Sequence, residues 1–166
     1  MQKETLRLLE MPLRRQKIWQ DGDITVLAAE IALPQCAGKD RRARRFNGYY
    51  KGYARAYLSY CEAELFPRAA ERMRAAMARS APWTCAHASL DYHVTYLHGD
   101  LLSLYSEGRE EHLAPRLTTR RTETWNLRSG GIVPLSACFP PDAPIRKLLT
   151  AQAQREAEKR MAVGAA

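Results

Sequence analysis

The stretch TWNLRSGGIVPLSACF, Thr124 to Phe139, joins a strand, a forced reversal and a restarting apolar segment. Thr122, Thr124 and Asn126 alternate with Glu123, Trp125 and Leu127, and this period of two puts Trp125 and Leu127 on one face of a strand. Ser129-Gly130-Gly131 supplies the positive backbone angles of a tight reversal. Ile132, Val133 and Leu135 resume the apolar character, and Pro140-Pro141 stop it after Phe139.

The preceding segments extend this pattern. Arg116 to Arg128 reads as one strand, and Ala86 to Leu97 as another of clearer alternation. Ala86, Ala88, Leu90, Tyr92, Val94 and Tyr96 fall on a core-facing side, with His87, Ser89, Asp91, His93 and Thr95 on the polar side. His98-Gly99-Asp100 turns the chain into an apolar run, Leu101 to Glu107. Further upstream, Asp21-Gly22 between Ile18-Trp19 and Ile24 to Leu27 marks a hairpin spanning 17–33 that Pro34 ends. Over 41–79 the period changes to helical, with Phe46, Tyr50, Tyr53, Tyr57, Cys61 and Leu65 forming one apolar stripe and Pro67 kinking or dividing the helix. A last helix spans 143–161, with Ile145, Leu148, Leu149, Ala153 and Ala157 on one side.

These elements predict an α+β fold: an antiparallel sheet of about four to six strands, drawn largely from 17–33 and 85–139, packed against a long Pro-kinked helix and a C-terminal helix. At 166 residues and 46% hydrophobic composition the chain can bury one core, so a single domain, 1–166, is expected. The longest apolar run, Ile24 to Leu33, carries Glu30 and falls well short of the roughly 20 residues that cross a bilayer. Lys3, Glu4, Arg7 and Glu10 interrupt the apolar centre that a signal peptide needs. The expectation is a chain without membrane insertion, cytoplasmic as it stands and extracytoplasmic if it is part of an exported protein.

Cys36, Cys61, Cys85 and Cys138 fit neither a CxxC site nor a dense disulfide framework. They read as reduced thiols, and a Cys36–Cys138 bridge is the pairing open to an oxidising compartment. His87 and His93 stand about 20 Å apart along an extended strand, too far to share an ion. Asp91 with His93, or Cys85 with His87, gives two ligands where structural zinc takes four. Ser103 and Ser106 lie in no nucleophile elbow, and no Gly-rich phosphate loop follows a strand. No metal, no cofactor and no enzymatic activity are expected.

The formal charge of +8 points to an acidic partner, whether nucleic acid, an anionic ligand or an acidic protein face. Two basic groups stand out. Arg116, Arg120, Arg121 and Arg128 lie in or beside one strand and are the expected binding set for an anion. Arg41, Arg42, Arg44, Arg45, Tyr49 and Lys51 form the alternative face, where guanidiniums beside rings suit nucleic acid. Glu107, Glu110 and Glu111, read as a loop, are the one local patch for a basic ligand.

The order of elements from Asp23 to Met161 resembles the C-terminal domain shared by the anti-sigma factor RsiV and the peptidoglycan deacetylase PdaC. Tyr92-His93-Val94-Thr95-Tyr96 matches its Y-x-V-x-Y strand and Leu101-Leu102-Ser103-Leu104 its L-L-S-L edge. Thr124 to Phe139 follows its D/N-L-x-x-G strand end and the apolar segment after it. The chain departs from it at Glu107 to His112, where the family has G-A-H. The resemblance implies a non-enzymatic protein- or ligand-binding module tied to cell-envelope or sigma-factor signalling, with lysozyme as the RsiV partner. Lysozyme is itself basic, so the charge of this chain predicts weak or no lysozyme binding. The alternative function is that of a basic cytoplasmic nucleic-acid-binding protein.

Overall fold

The structure, a computed structural model, describes residues 5–113 and 117–164, with side chains described as far as residue 159. Its chain divides into two compact units, Met1–Ile132 and Val133–Ala166. The first holds a six-stranded sheet in the order β1-β2-β3-β4-β5-β6, numbered along the chain.

β1 (Leu13–Asp21) and β2 (Ile24–Leu33) form the hairpin that the Asp-Gly pair predicts, with Gly22 at φ 60° in the turn. From β2 the chain runs through α1 (Arg41–Tyr60), a π-helical turn (Cys61–Leu65) and α2 (Phe66–Ala78). It returns as β3 (Ala86–His98), which pairs with β2 in parallel. This is the one departure from the expected antiparallel sheet. A parallel pair needs a long crossover, which the helices provide. β4 (Leu101–Glu111) and β5 (Thr118–Asn126) continue antiparallel, and a two-residue β6 (Gly131–Ile132) closes the edge.

Pro67 divides the helix as expected, by way of a bulge. Proline has no N–H to donate, and the Phe66 N–H reaches back five residues to the Cys61 carbonyl to make the π turn. Cys61, Leu65 and Ala69 stay buried through it, so the apolar stripe survives the change in pitch. Phe46, Tyr50 and Ala54 pack with Leu90, Leu102, Leu104, Trp125 and Leu127 in one cluster. The π turn and α2 pack with Trp19, Leu27, Ala86 and Ala88 in another. Trp125 donates its indole N–H to the Tyr50 hydroxyl at 2.9 Å, which satisfies the only polar side-chain atom of a large, fully buried residue.

The core face of β3 is shorter than its alternation predicts. Ala86, Ala88 and Leu90 are buried, whereas Val94 is 41% and Tyr96 50% exposed. The register shifts between Val94 and Tyr96, a bulge near the hairpin end where helical cover runs out. β4 runs four residues beyond the expected Glu107, so Glu107, Glu110 and Glu111 are strand residues and not a loop. Thr118 to Arg121 are exposed at the start of β5, whereas Glu123 and Trp125 are buried and Leu127, just past its end, is buried with them.

The second unit contains a 3-10 turn (Leu135–Cys138) and α3 (Ile145–Gly164). Of the expected apolar side, Ile145 is half-buried, Leu148 and Leu149 are 47% and 42% exposed, and Ala153 and Ala157 are exposed as well. All four cysteines are free thiols, Cys36 and Cys61 buried and Cys138 exposed. No helix among the described residues is long and apolar enough to cross a membrane.

Candidate functional site: an arginine-lined cleft

Asp40 starts α1 in extended geometry, and one carboxylate oxygen accepts the Ala43 N–H at 2.8 Å. Its other oxygen accepts Nε and Nη2 of Arg42 at 2.9 and 2.7 Å. The Ala43 N–H, with the Arg42 guanidinium second, holds the Asp40 carboxyl below the usual carboxylate range. Arg42 Nη1 also donates to the Arg128 carbonyl at 3.2 Å, which ties the start of α1 to the β5–β6 turn.

That turn is built by Asn126. Its side-chain oxygen accepts the N–H groups of Arg128 and Ser129, at 3.0 and 2.9 Å, and its carbonyl accepts that of Gly130 at 2.8 Å. Gly130 has φ 68°, and a Cβ there would lie 2.7 Å from the Arg42 Cβ. The close approach of turn to helix therefore depends on a glycine. On the same side, Asn47 clamps the backbone of Cys36, donating to its carbonyl at 2.9 Å and accepting its N–H at 2.8 Å.

Between helix and turn lies an open cleft of about 770 Å³, lined by Asp40, Arg41, Arg42, Arg44, Arg45, Arg128 and Ser129. Five guanidiniums face a single lining carboxylate. Arg42 is held by Asp40, and Arg128 pairs with Asp100 at 2.6 Å. Among the described residues the side chains of Arg41, Arg44 and Arg45 form no hydrogen bond or ion pair, and all three residues are exposed. Guanidiniums present planar, permanently charged donors that match carboxylate and phosphate oxygens two at a time.

The fold thus joins residues from two groups that were separate in sequence. Arg128 leaves the strand set and meets Arg41, Arg42, Arg44 and Arg45 of the helix set. Arg120 pairs with Glu107 instead, and lies over the Tyr105 ring at 5.0 Å. Arg121 pairs with Glu123 at 2.8 Å and lies over Tyr49 and Tyr53. Arg116 lies outside the described residues. Tyr49 donates its hydroxyl to Glu123 at 2.9 Å and is half-buried, so it is not the exposed ring that base stacking requires. Burial first and Glu123 second push its phenol up to about 12. Lys51 is exposed further along α1.

The acidic segment offers less to a basic ligand than its composition indicates. Glu107 is 2% exposed, with both carboxylate oxygens taken by Arg109 and Arg120, and these guanidiniums lower its pKa. Glu110 is buried and accepts the Tyr60 hydroxyl at 2.6 Å. Glu111 alone of the three is exposed. Among the described residues no group of three or more His, Cys, Asp or Glu side chains is placed to hold a metal ion. Asp40 and Ser129 belong to the cleft and were not singled out from sequence. The legible signal for them was local: an aspartate three residues before Ala43 at a helix start, and a serine inside the Gly-Gly turn.

No protein-family model matches the chain, and no curated protein does. Its fold is similar to that of a DUF3298 family member from Bacteroides fragilis, at 14% identity and a TM-score of 0.60, over 96% of this chain and 71% of that one. A DUF3298 family protein from Pseudomonas aeruginosa is similar at 12% identity and a TM-score of 0.50, over 95% of this chain and 68% of that one. At such identities the likeness is one of fold. Both of these structures are DUF3298 proteins, and neither shows the expected relation to the RsiV and PdaC domain.

Proposed function

We propose that the chain is a non-catalytic binding module that takes an anionic group of a ligand or partner protein between α1 and the β5–β6 turn. The observation that carries this reading is the arginine cleft, in which Arg41, Arg44 and Arg45 are left without internal partners around about 770 Å³ of open space. Unneutralised guanidiniums gathered on one concave surface repel one another, and an anion relieves that repulsion. The resemblance of the sequence to the RsiV and PdaC domain supports a recognition role of this kind, in cell-envelope or sigma-factor signalling. A nucleic-acid role keeps the cations and loses the rings, because Tyr49 is tied to Glu123 and Tyr50 is buried.

Calorimetric titration with pyrophosphate at low salt tests the cleft. The expected result is binding that weakens as salt rises and is lost in Arg41→Gln/Arg45→Gln. Absence of any pyrophosphate heat in the unaltered protein, or undiminished binding in the double variant, sinks the reading. Hen lysozyme serves as the basic counter-probe and is expected to give no heat, since two of the three carboxylates at the end of β4 are buried.

A further inference from the structure

The arginine cleft does not end at Arg44. A second concavity of about 480 Å³ begins there and runs past Asn47 and Gly48 to Lys51. A third, of about 210 Å³, continues from Lys51 to Arg55 and is floored by Leu13, Ala54 and Leu58. Shared lining residues, Arg44 at one junction and Lys51 at the other, make the three one track. Arg41, Arg44, Gly48, Lys51 and Arg55 recur at steps of three and four, so they form a single stripe on α1. At ~1.5 Å per residue the stripe is about 21 Å long.

Gly48 leaves the middle of the track without a side chain. It is exposed in the middle of a 20-residue helix, and a Cβ there would meet nothing within 4 Å. Neither packing nor a positive φ calls for glycine there, and the same holds at Gly52, off the track. What a bare backbone does provide at the floor of a basic track is room for another chain to approach closely.

The geometry points to an extended acidic peptide segment, about six residues long at ~3.3 Å per residue, with an apolar side chain at the end that reaches Leu13, Ala54 and Leu58. This rests on the proposed anion-binding role of the cleft and specifies its partner. Two features favour a peptide over a nucleic-acid strand. The far end of the track is aliphatic and suits a leucine-sized side chain. Among the described residues no aromatic ring lines the track, so bases would find nothing to stack on.

The test compares four probes by calorimetry at low salt: pyrophosphate, hexaglutamate with leucine at either terminus, hexaglutamate with serine there, and a short oligothymidylate. One leucine-bearing peptide is expected to bind about tenfold more tightly than the serine peptide and more tightly than the oligonucleotide. Lys51→Gln/Arg55→Gln and Gly48→Leu should remove that advantage while pyrophosphate binding is retained, and Gly52→Ala, off the track, should change neither. Thermal melts establish that each variant is folded. Equal affinity for the leucine and serine peptides, or tighter binding of the oligonucleotide, overturns the peptide proposal and leaves the cleft standing if pyrophosphate binds. Failure of pyrophosphate as well brings both down.

Discussion

Gly130 has φ 68° and stands 2.7 and 2.8 Å, at its missing Cβ, from the Cβ and Cα of Arg42. Alanine there would meet left-handed strain and a backbone it cannot displace cheaply. We expect Gly130→Ala to destabilise the first unit by about 2–4 kcal/mol in urea unfolding, and a loss under half that would show that turn and helix part easily. Glu123 makes a different residue-scale prediction. It is 7% exposed, one carboxylate oxygen has no partner, and burial raises its pKa against the opposing pull of Tyr49 and Arg121. A raised carboxylate pKa means that the folded state holds the proton more tightly than the unfolded chain. Stability therefore falls as pH rises from the unfolded value through the folded one, and stays lower above it. Glu123→Gln, which can still accept from Tyr49, should stabilise by about 1 kcal/mol at neutral pH, with the gain vanishing once pH drops below the carboxylate range. Glu107 titrates with the opposite sign: its lowered pKa contributes stability that is lost as pH falls. A Glu123→Gln gain that persists unchanged at acid pH would place the effect elsewhere.

At the scale of elements, β3 shows how alternation and burial come apart. Leu90 and Val94 lie on one face of the strand by period, yet Leu90 is 1% exposed and Val94 41%. Leu90→Asp should therefore cost several kcal/mol, of the order of 3 or more, through an unpaired buried charge, while Val94→Asp should stay within about 1 kcal/mol of the parent. Equal melting temperatures for the two variants would contradict this assignment. The face of β3 was legible in Ala86 to Tyr96. The point where the face leaves the core was not, because it depends on where α1 passes over the sheet. The helix was read in the same partial way: its stripe from Phe46 to Leu65 and its break at Pro67 follow from residue spacing and a missing N–H. The widened turn at Cys61–Leu65 follows from both elements having to keep the same side chains in the core.

For the molecule as a whole, the first unit contains every residue of both core clusters, from Leu6 to Leu127. Local sequence determined the elements: the Asp-Gly hairpin, the amphipathic helix, the alternating strands and the Asn126 turn with its glycines. These are short-range consequences of period, backbone angle and donor count. It also determined the basic charge. Tertiary structure decided the rest. Side-chain alternation is the same in parallel and antiparallel ladders, so the parallel β2–β3 pair could not be read from it. Charge groupings in sequence carried no more authority, because an ion pair forms with whatever side chain the fold brings near. Folding buried Glu110 and Glu123 against Tyr60 and Tyr49, distant in the chain, brought Arg120 to Glu107 across the β4–β5 pair, and set Arg128 beside the arginines of α1. The basic character was written in the composition, but the cleft exists because Gly130 lets a turn and a helix start touch.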